Sequence, residues 1–359
     1  MKRAFIPAAL ALALLLCLGA ALAAGGDAGD PLLSLSYLTE QFSKTADAAV
    51  EARLDAADSS LRESLERPAA PLSSSGEELL LNEGDALSGG TGAAVIPLAG
   101  DLRLRLDAGA LVDATDGIEI PDRAQLSPRH RYIAAEGTRF TLTAESPTAV
   151  LHLQGSAALL RSEDSPDYHA IASALRELGL FRGTGSSVAG GFDLHLAPTR
   201  GEGLVMFIRL LGEEEAALNC PYSHPFRDVP GWLDRYAAWA WEKGYTNGVA
   251  PGLFAPESPI AAQEYVEFLL RAMGYSQAGI DDYTTSLARG EACGALSPGE
   301  RALLERAAFR RAHAAYLSYY CLGTPLGGGQ TLAQRLEAGG LFTQAELEMA
   351  GALINSGRL

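Results

Sequence analysis

The sequence predicts a multidomain α+β protein, in which a small all-β domain precedes a mainly α-helical region built from three related segments. Three observations support this fold class. Apolar and polar residues alternate with a period of two within residues 77–157, which is typical of strands with one buried face. Beyond residue 165 the apolar residues recur every three or four positions, as in amphipathic helices. The helical region also repeats one arrangement of residues, and such copies stabilise each other by stacking.

The first 24 residues have the features of a secretory signal peptide. Lys2 and Arg3 precede an apolar run over residues 8–18, and small residues at 21–23 supply a cleavage site. The run is too short for an ordinary membrane span. We therefore expect an exported chain with no transmembrane segment after cleavage of residues 1–24.

Charge and cysteine content restrict the classes of partner. Loss of Lys2 and Arg3 with the signal changes the formal net charge from −16 to −18. Such an acidic chain is not expected to bind nucleic acid, because phosphate contacts need clustered cations. Cys220, Cys293 and Cys321 remain after cleavage, and this odd number allows at most one internal bridge. We interpret them as core or loop residues, with a Cys293–Cys321 bridge as the alternative.

Two segments connect the signal to the β domain. Residues 31–67 place apolar side chains on one helical face, which predicts an amphipathic helix that ends before Pro68. Its part at residues 38–65 is a candidate for homo-oligomerisation. Residues 68–76 are rich in proline, serine and glycine and predict a linker.

The β domain is expected over residues 77–157. Strict alternation predicts strands at residues 102–107 and 140–144, and a third strand is expected at 150–154. Glycine-containing turns separate these segments. The pattern predicts a sandwich or roll of about 80 residues.

The helical copies align on one position near the start of a helix. In the first two copies this position is a glutamate, with a phenylalanine 10 residues before it, an arginine 7 after it and a glycine 10 after it. The third copy keeps an apolar residue and the closing glycine at the same offsets. The aligned residues are Phe192, Glu202, Arg209 and Gly212, then Phe254, Glu264, Arg271 and Gly274, then Leu303, His313, Tyr320 and Gly323. Thr199 and Glu202 are also spaced as a capping box, which indicates that a helix begins there.

These copies resemble S-layer homology modules. The motifs that support the resemblance are Phe226-Arg227-Asp228-Val229, Trp232, Asn247-Gly248 and the helix end Leu270-Arg271-Ala272-Met273-Gly274 in the second copy, Thr199-Arg200-Gly201-Glu202 in the first copy and Phe309-x-Arg311 in the third. The first copy is close to the family's Thr-Arg-Ala-Glu motif. The resemblance implies modules at residues 165–215, 222–276 and 282–350, where the last includes a closing helix.

The resemblance also implies a function. Proteins of this family are exported by Gram-positive and some other bacteria and are held non-covalently on an anionic secondary cell-wall polysaccharide, which is often pyruvylated. Three modules typically form a pseudo-threefold prism with glycan in the grooves between modules. A guanidinium group matches a carboxylate, and an indole face suits the apolar face of a sugar. The glycan-binding residues expected by position are Arg200, Arg311, Asp228, Trp232 and Gly248.

Two positions depart from the family pattern. Ala262 stands where the second copy would have its arginine, and His313 replaces the third copy's glutamate. At most two of the three grooves then keep a cation. The alternative function is therefore an envelope scaffold, or a self-assembling or protein-binding component, whose modules no longer bind glycan.

No arrangement of residues indicates catalysis. The six histidines lack metal-ligand spacing, and the sequence has neither a Gly-x-Ser-x-Gly elbow nor a phosphate-binding loop. His130 and His152 stand alone in the predicted β domain. We therefore predict no enzyme activity, no metal site and no cofactor.

Overall fold

The computed structural model describes residues 76–163, 165–186, 188–275 and 283–359. The chain divides into two compact units, residues 1–68 and 69–359, and every described residue belongs to the second unit. The predicted signal peptide (1–24), the predicted helix (31–67) and the predicted linker (68–76), apart from its last residue, lie outside the described residues.

An all-β region forms the first part of the described chain. Its strands are β1 (Glu77–Asn82), β2 (Ala86–Gly90), β3 (Ala94–Ala99), β4 (Leu102–Ala108), β5 (Leu111–Asp113), β6 (Ile118–Ile120), β7 (Tyr132–Ala134), β8 (Arg139–Ala144), β9 (Thr148–Gln154) and β10 (Ala157–Leu160). They form two antiparallel sheets, with strand orders β1-β9-β3-β7-β5-β6 and β10-β2-β8-β4. Apolar side chains from both sheets make one core.

The period-two pattern explains the strands that were predicted. In β4, Leu102 and Leu104 are buried, whereas Arg103 and Arg105 are exposed. The strands expected at 140–144 and 150–154 are present as β8 and β9. The region extends past the expected end at residue 157, because β10 pairs along the edge of β2.

A mainly helical region follows the sheets. Among the described residues its helices are α1 (Tyr168–Glu177), α2 (Arg200–Leu210), α3 (Glu214–Leu218), α4 (Asp234–Glu242), α5 (Ala262–Ala272), α6 (Ser286–Ala292), α7 (Pro298–Arg306), α8 (Arg311–Cys321), α9 (Leu332–Ala338) and α10 (Gln344–Gly351). They share one apolar core. This region and the sheets agree with the coarse α+β description.

Helices α2, α5 and α8 are alike in length and in how they begin. Each has 11 residues. In each, the third side chain accepts a hydrogen bond from the backbone N–H three positions earlier, at 2.9 Å for Glu202, 2.9 Å for Glu264 and 3.1 Å for His313. Thr199 completes the predicted capping box by accepting from the Glu202 N–H at 3.2 Å.

Upstream of each of these three lies a helix that is followed by a glycine with positive φ, and α7 stands between that helix and α8 in the third case. Gly179 follows α1 with φ 73°, Gly244 follows α4 with φ 70°, and Gly294 follows α6 with φ 78°. Glycine adopts this left-handed conformation without the steric cost of a Cβ atom. The sequence comparison began the third copy at Leu303 and overlooked α6, because the spacing from Gly294 to His313 is shorter than in the other copies.

The described cysteines are not paired. Cys220, Cys293 and Cys321 are free thiols, so the Cys293–Cys321 bridge considered from the sequence is absent. Cys321 lies buried with its Sγ 3.3 Å from the Sδ of Met273. Burial raises the pKa of the Cys321 thiol to about 12. In the described part of the chain, every helix is too short or too polar to cross a membrane.

Candidate anion-binding cleft and the arginine junctions

The five predicted glycan-binding residues separate into two groups in the structure. Arg200, Asp228 and Gly248 belong to a closed contact between α2 and the loop before α5, which we call the Arg200 junction. Arg311 and Trp232 line an open space beside α2, which we call the Arg311 cleft. The two groups differ in what surrounds the guanidinium.

In the Arg200 junction the guanidinium already has a carboxylate partner. Arg200 is 1% exposed. Its Nη1 donates to Glu264 Oε1 at 2.6 Å, and its Nη2 donates to the Tyr283 hydroxyl at 3.3 Å. The guanidinium carbon lies 5.1 Å from the centroid of the Phe254 ring and 5.4 Å from that of Phe268. An external ligand cannot contact Arg200 in this arrangement.

Asp228 and Gly248 support this junction rather than an open surface. Asp228 accepts hydrogen bonds from the N–H groups of Phe254 at 2.9 Å and of Ala255 at 2.7 Å. Burial opposes ionisation of Asp228, but these N–H donors outweigh it and hold the pKa below the ordinary value. Gly248 has φ 79°, and a Cβ there would clash with the Leu253 carbonyl oxygen. Its own carbonyl accepts from the Tyr283 hydroxyl at 3.1 Å.

The guanidinium of Arg311 is buried without a carboxylate partner. Arg311 is 5% exposed, and its Nε donates to the Phe192 carbonyl at 3.0 Å. Its Nη1 lies 3.5 Å from the Sδ of Met206. No carboxylate of the described residues forms an ion pair with it. Burial lowers the pKa of Arg311, yet a guanidinium keeps its proton near neutral pH. The charges of Glu202 and Asp193 favour the protonated form, but no direct ion pair among the described residues offsets the burial of this cation, which is costly unless an anion binds.

The Arg311 cleft has a volume of about 430 Å³. Its walls combine charged, hydroxyl and apolar groups from α2, from the loop after α1 and from the start of α4. The lining includes Arg182, Thr184, Glu202, Met206, Trp232 and Arg311. Trp232 is 53% exposed, so a large aromatic surface is available beside the buried cation. A cation together with an accessible indole suits an acidic ligand that also has an apolar face.

Glu214 fixes the polar rim of the cleft. Its carboxylate accepts from Arg209 Nε at 2.8 Å, from the Tyr236 hydroxyl at 2.8 Å and from Arg182 Nη1 at 3.1 Å. Burial opposes ionisation of Glu214, but the bonds from Tyr236 and Arg209 dominate and lower its pKa. Arg182 and Arg209 therefore share Glu214 as an ion-pair partner, whereas Arg311 has no ion pair among the described residues.

The start of α5 offers no cation. Ala262 occupies the first helical position there, as Arg200 does in α2 and Arg311 in α8. His313 is 2% exposed, and its Nδ1 accepts from the Arg310 N–H. Burial lowers the pKa of His313 to about 4, so its ring is neutral near pH 7. The two departures noted in the sequence thus remove both an arginine and a carboxylate.

A polar cluster in the β region shows that His130 has partners. His130 Nδ1 is 2.7 Å from Asp113 Oδ2 and 3.6 Å from Asp116 Oδ2, which corrects the expectation that this histidine stands alone. The hydrogen bond to Asp113 raises the pKa of His130. Among the described residues these three are a group whose ligand atoms lie within 4.8 Å of one another. The expectation of no metal site stays a prediction.

Comparisons with known proteins identify no family for this chain. No protein-family model matches it, and no curated protein is similar to it. A solved structure of cocosin, a coconut allergen, is similar over 28% of this chain and 33% of that chain, with 10% sequence identity and a TM-score of 0.16. A likeness at that level carries no argument about function.

Sequence analysis did not identify two carboxylates, Glu264 and Glu214, as the ion-pair partners of arginines. Glu264 caps α5 through one carboxylate oxygen, and its second oxygen binds Arg200. Glu214 was not singled out, because nothing in its local sequence shows that three donors from distant segments meet there. The glycan-binding roles of the five residues stay predictions.

Proposed function

We propose that this chain is an exported cell-surface protein, anchored without covalent linkage to an anionic cell-wall polysaccharide that carries acid groups such as pyruvate. The helical region is the anchor, of the S-layer homology kind, and the β region is the displayed part. The Arg311 cleft is the glycan site. Arg311 binds the acid group, and Trp232 lies against an apolar sugar face.

The observation that carries this proposal is the unpaired guanidinium of Arg311. Burying a cation without a partner costs free energy, and the other arginines on the cleft have a carboxylate in Glu214. An anionic ligand that enters the cleft would neutralise Arg311 in surroundings of low dielectric constant, where the pairing is strong.

The arrangement of α2, α5 and α8 also supports a module-based anchor. The three helices have equal length and equivalent capping. The loop before α5 meets the start of α2, since the Ile260 N–H donates to the Pro198 carbonyl at 3.0 Å. Such contacts between the starts of successive helices are what three modules around a common axis require.

Binding of the mature full-length chain to purified cell-wall sacculi tests the proposal. Half of the sacculi are stripped of secondary polysaccharide by mild acid. We expect co-sedimentation with native sacculi, loss of binding after stripping, and a decrease of at least about tenfold for Arg311→Met. Arg105→Met is the matched control, since it removes an exposed positive charge from β4.

Two results would contradict the proposal. Equal binding to native and stripped sacculi would show that the polysaccharide is not the ligand. Equal loss in Arg311→Met and Arg105→Met would show that the interaction depends on overall charge and not on the cleft.

A second candidate function is an envelope scaffold that binds protein. The observation in its favour concerns the first residues of α2, α5 and α8. Arg200 is buried in an ion pair with Glu264, and α5 begins with Ala262, so two of these three positions offer no cation to a ligand. Mass photometry over a wide concentration range tests it. Concentration-dependent oligomers that persist in Arg311→Met would favour the scaffold, and a monomer at all concentrations would oppose it.

A further inference from the structure

The Arg200 junction and the Arg311 cleft are built on the same backbone contacts. In each, a helix begins against a loop that contains a phenylalanine. The N–H of the first helical residue donates to the carbonyl four residues after that phenylalanine, and the N–H of the second donates to the carbonyl two residues after it, at 2.8–3.0 Å. The donor–acceptor pairs are Arg200–Ser258, Gly201–Pro256, Arg311–Leu196 and Ala312–Leu194. The residue after each loop phenylalanine also has positive φ, 48° for Asp193 and 58° for Ala255. The two arginines therefore occupy equivalent places.

The capping glutamates of α2 and α5 also occupy equivalent positions, but only one of them binds an arginine. Glu202 in α2 faces Arg311, and Glu264 in α5 faces Arg200. Each uses Oε2 to accept from the N–H of its own N-cap residue, at 2.9 Å in both cases. Glu264 turns its Oε1 to Arg200 at 2.6 Å, whereas Glu202 has no ion pair with Arg311 among the described contacts.

We infer that the Arg200 junction is a second carboxylate-binding site, and that the chain's own Glu264 occupies it as an internal ligand. Arg200 is surrounded by the rings of Phe254, Phe268 and Tyr283, and the place beside its Nη1 holds one acid group. The Glu264 carboxylate fills that place. The site suits a small carboxylate, because the guanidinium fork donates to it, while the Tyr283 hydroxyl holds the fork by accepting from Arg200 Nη2 and donating to the Gly248 carbonyl.

Glu264 excludes an external acid by effective concentration. A group tethered on α5 competes as if it were present at very high concentration, so a free carboxylate of ordinary affinity does not displace it. Shortening the Glu264 side chain should therefore open a site that a carboxylate from solution can enter. This inference concerns Arg200 alone and does not depend on glycan binding in the Arg311 cleft.

Chemical rescue of Glu264→Ala in the full chain tests the inference. Thermal unfolding is measured in sodium acetate and in sodium chloride at equal ionic strength. We expect the midpoint of Glu264→Ala to be about 4 °C higher in about 0.3 M acetate than in chloride, since a ligand that binds only the folded state stabilises it. The unaltered chain should shift by less than about 1 °C between the two salts.

Glu202→Ala is the matched control. It removes the same capping bond from α2 without unpairing an arginine, so acetate should give it no such gain. The double variant R200M/E264A lacks the cation and should lose the acetate effect. Equal midpoints of Glu264→Ala in the two salts, or an equal acetate effect in Glu202→Ala, would overturn the inference.

If Glu264→Ala is too unstable to purify in the folded state, its refolding yield is measured instead. The variant is unfolded in urea and diluted into acetate or chloride, and recovery is measured by near-ultraviolet circular dichroism. Recovery that is at least about threefold greater in acetate supports the inference. Equal recovery in the two salts, including no recovery in either, contradicts it.

Discussion

The Arg200 junction and the Arg311 cleft have the same backbone contacts, but the partners of their guanidinium groups differ. Arg200 lies among aromatic rings with a carboxylate at 2.6 Å, and the contact joins α2 to α5. Arg311 is almost as buried, but its direct contacts are a carbonyl, a thioether and a ring, and Glu202 faces it without forming an ion pair. One arginine therefore contributes to the stability of the fold, and the other places a positive charge where a ligand can reach it.

The largest expected effect is a difference in stability between the two arginine variants. Arg200→Met should lower the free energy of unfolding by about 4 kcal/mol, because it removes one partner of a buried ion pair. Arg311→Met should change it by less than about 1 kcal/mol, because the variant removes a buried charge and breaks no direct ion pair of the described residues. Urea unfolding with equal m-values measures both. Equal losses would mean that Arg311 also has a stabilising partner.

The next effect concerns the start of α8, where His313 stands in place of the capping glutamate. The pKa of His313 is about 4 in the folded chain and ordinarily 6.5. The unfolded chain therefore binds this proton more readily, and stability is lost as pH falls from 6.5 toward 4. The loss should reach about 3 kcal/mol at pH 4.

His313→Gln tests this pH dependence. Glutamine keeps an acceptor for the Arg310 N–H and cannot be protonated, so its stability should fall less between pH 6.5 and pH 4 than that of the unaltered chain. His169, which burial also gives a pKa of about 4, keeps its contribution in both proteins. Parallel pH profiles would exclude His313 as the source of the acid sensitivity.

Local sequence patterns were sufficient for some elements, among them β4 and the start of α2. The alternation of leucine and arginine from Leu102 predicted β4 because a strand turns successive side chains to opposite faces. The spacing of Thr199 and Glu202 predicted the start of α2 because both groups of a capping box lie within four residues. These features depend on contacts that are short in sequence.

The ion-pair partners of the two arginines could not be predicted from local sequence patterns. Glu264 lies 64 residues from Arg200, and Glu202 has the same local pattern without the ion pair. Which glutamate meets an arginine depends on the path of the loops after Phe192 and Phe254. Sequence analysis therefore identified Arg200 and Arg311 as equivalent, whereas the structure gives them different surroundings.

A smaller effect is expected at the aromatic wall of the cleft. Trp232→Ala should weaken binding to native sacculi about tenfold, because the exposed indole is, among the described residues, the one tryptophan face on the cleft that Arg311 lines. Its effect on unfolding should stay below about 1 kcal/mol, since half of the side chain is already in solvent. Trp241→Ala, at another exposed tryptophan, should leave sacculus binding unchanged. Equal effects of the two variants would remove Trp232 from the site.

The smallest effect is expected at Glu202, whose charge lies on the cleft and opposes an anionic ligand. Glu202→Gln keeps an oxygen for the Thr199 N–H but removes the charge. Affinity for native sacculi should rise about threefold, although loss of a negative charge at the start of α2 should cost about 0.5 kcal/mol of stability. Glu242→Gln removes an exposed charge at the end of α4 and should not change binding. Weaker binding in Glu202→Gln would mean that Glu202 contacts the ligand as an acceptor, and the cleft would then recognise hydroxyl groups as well as acids.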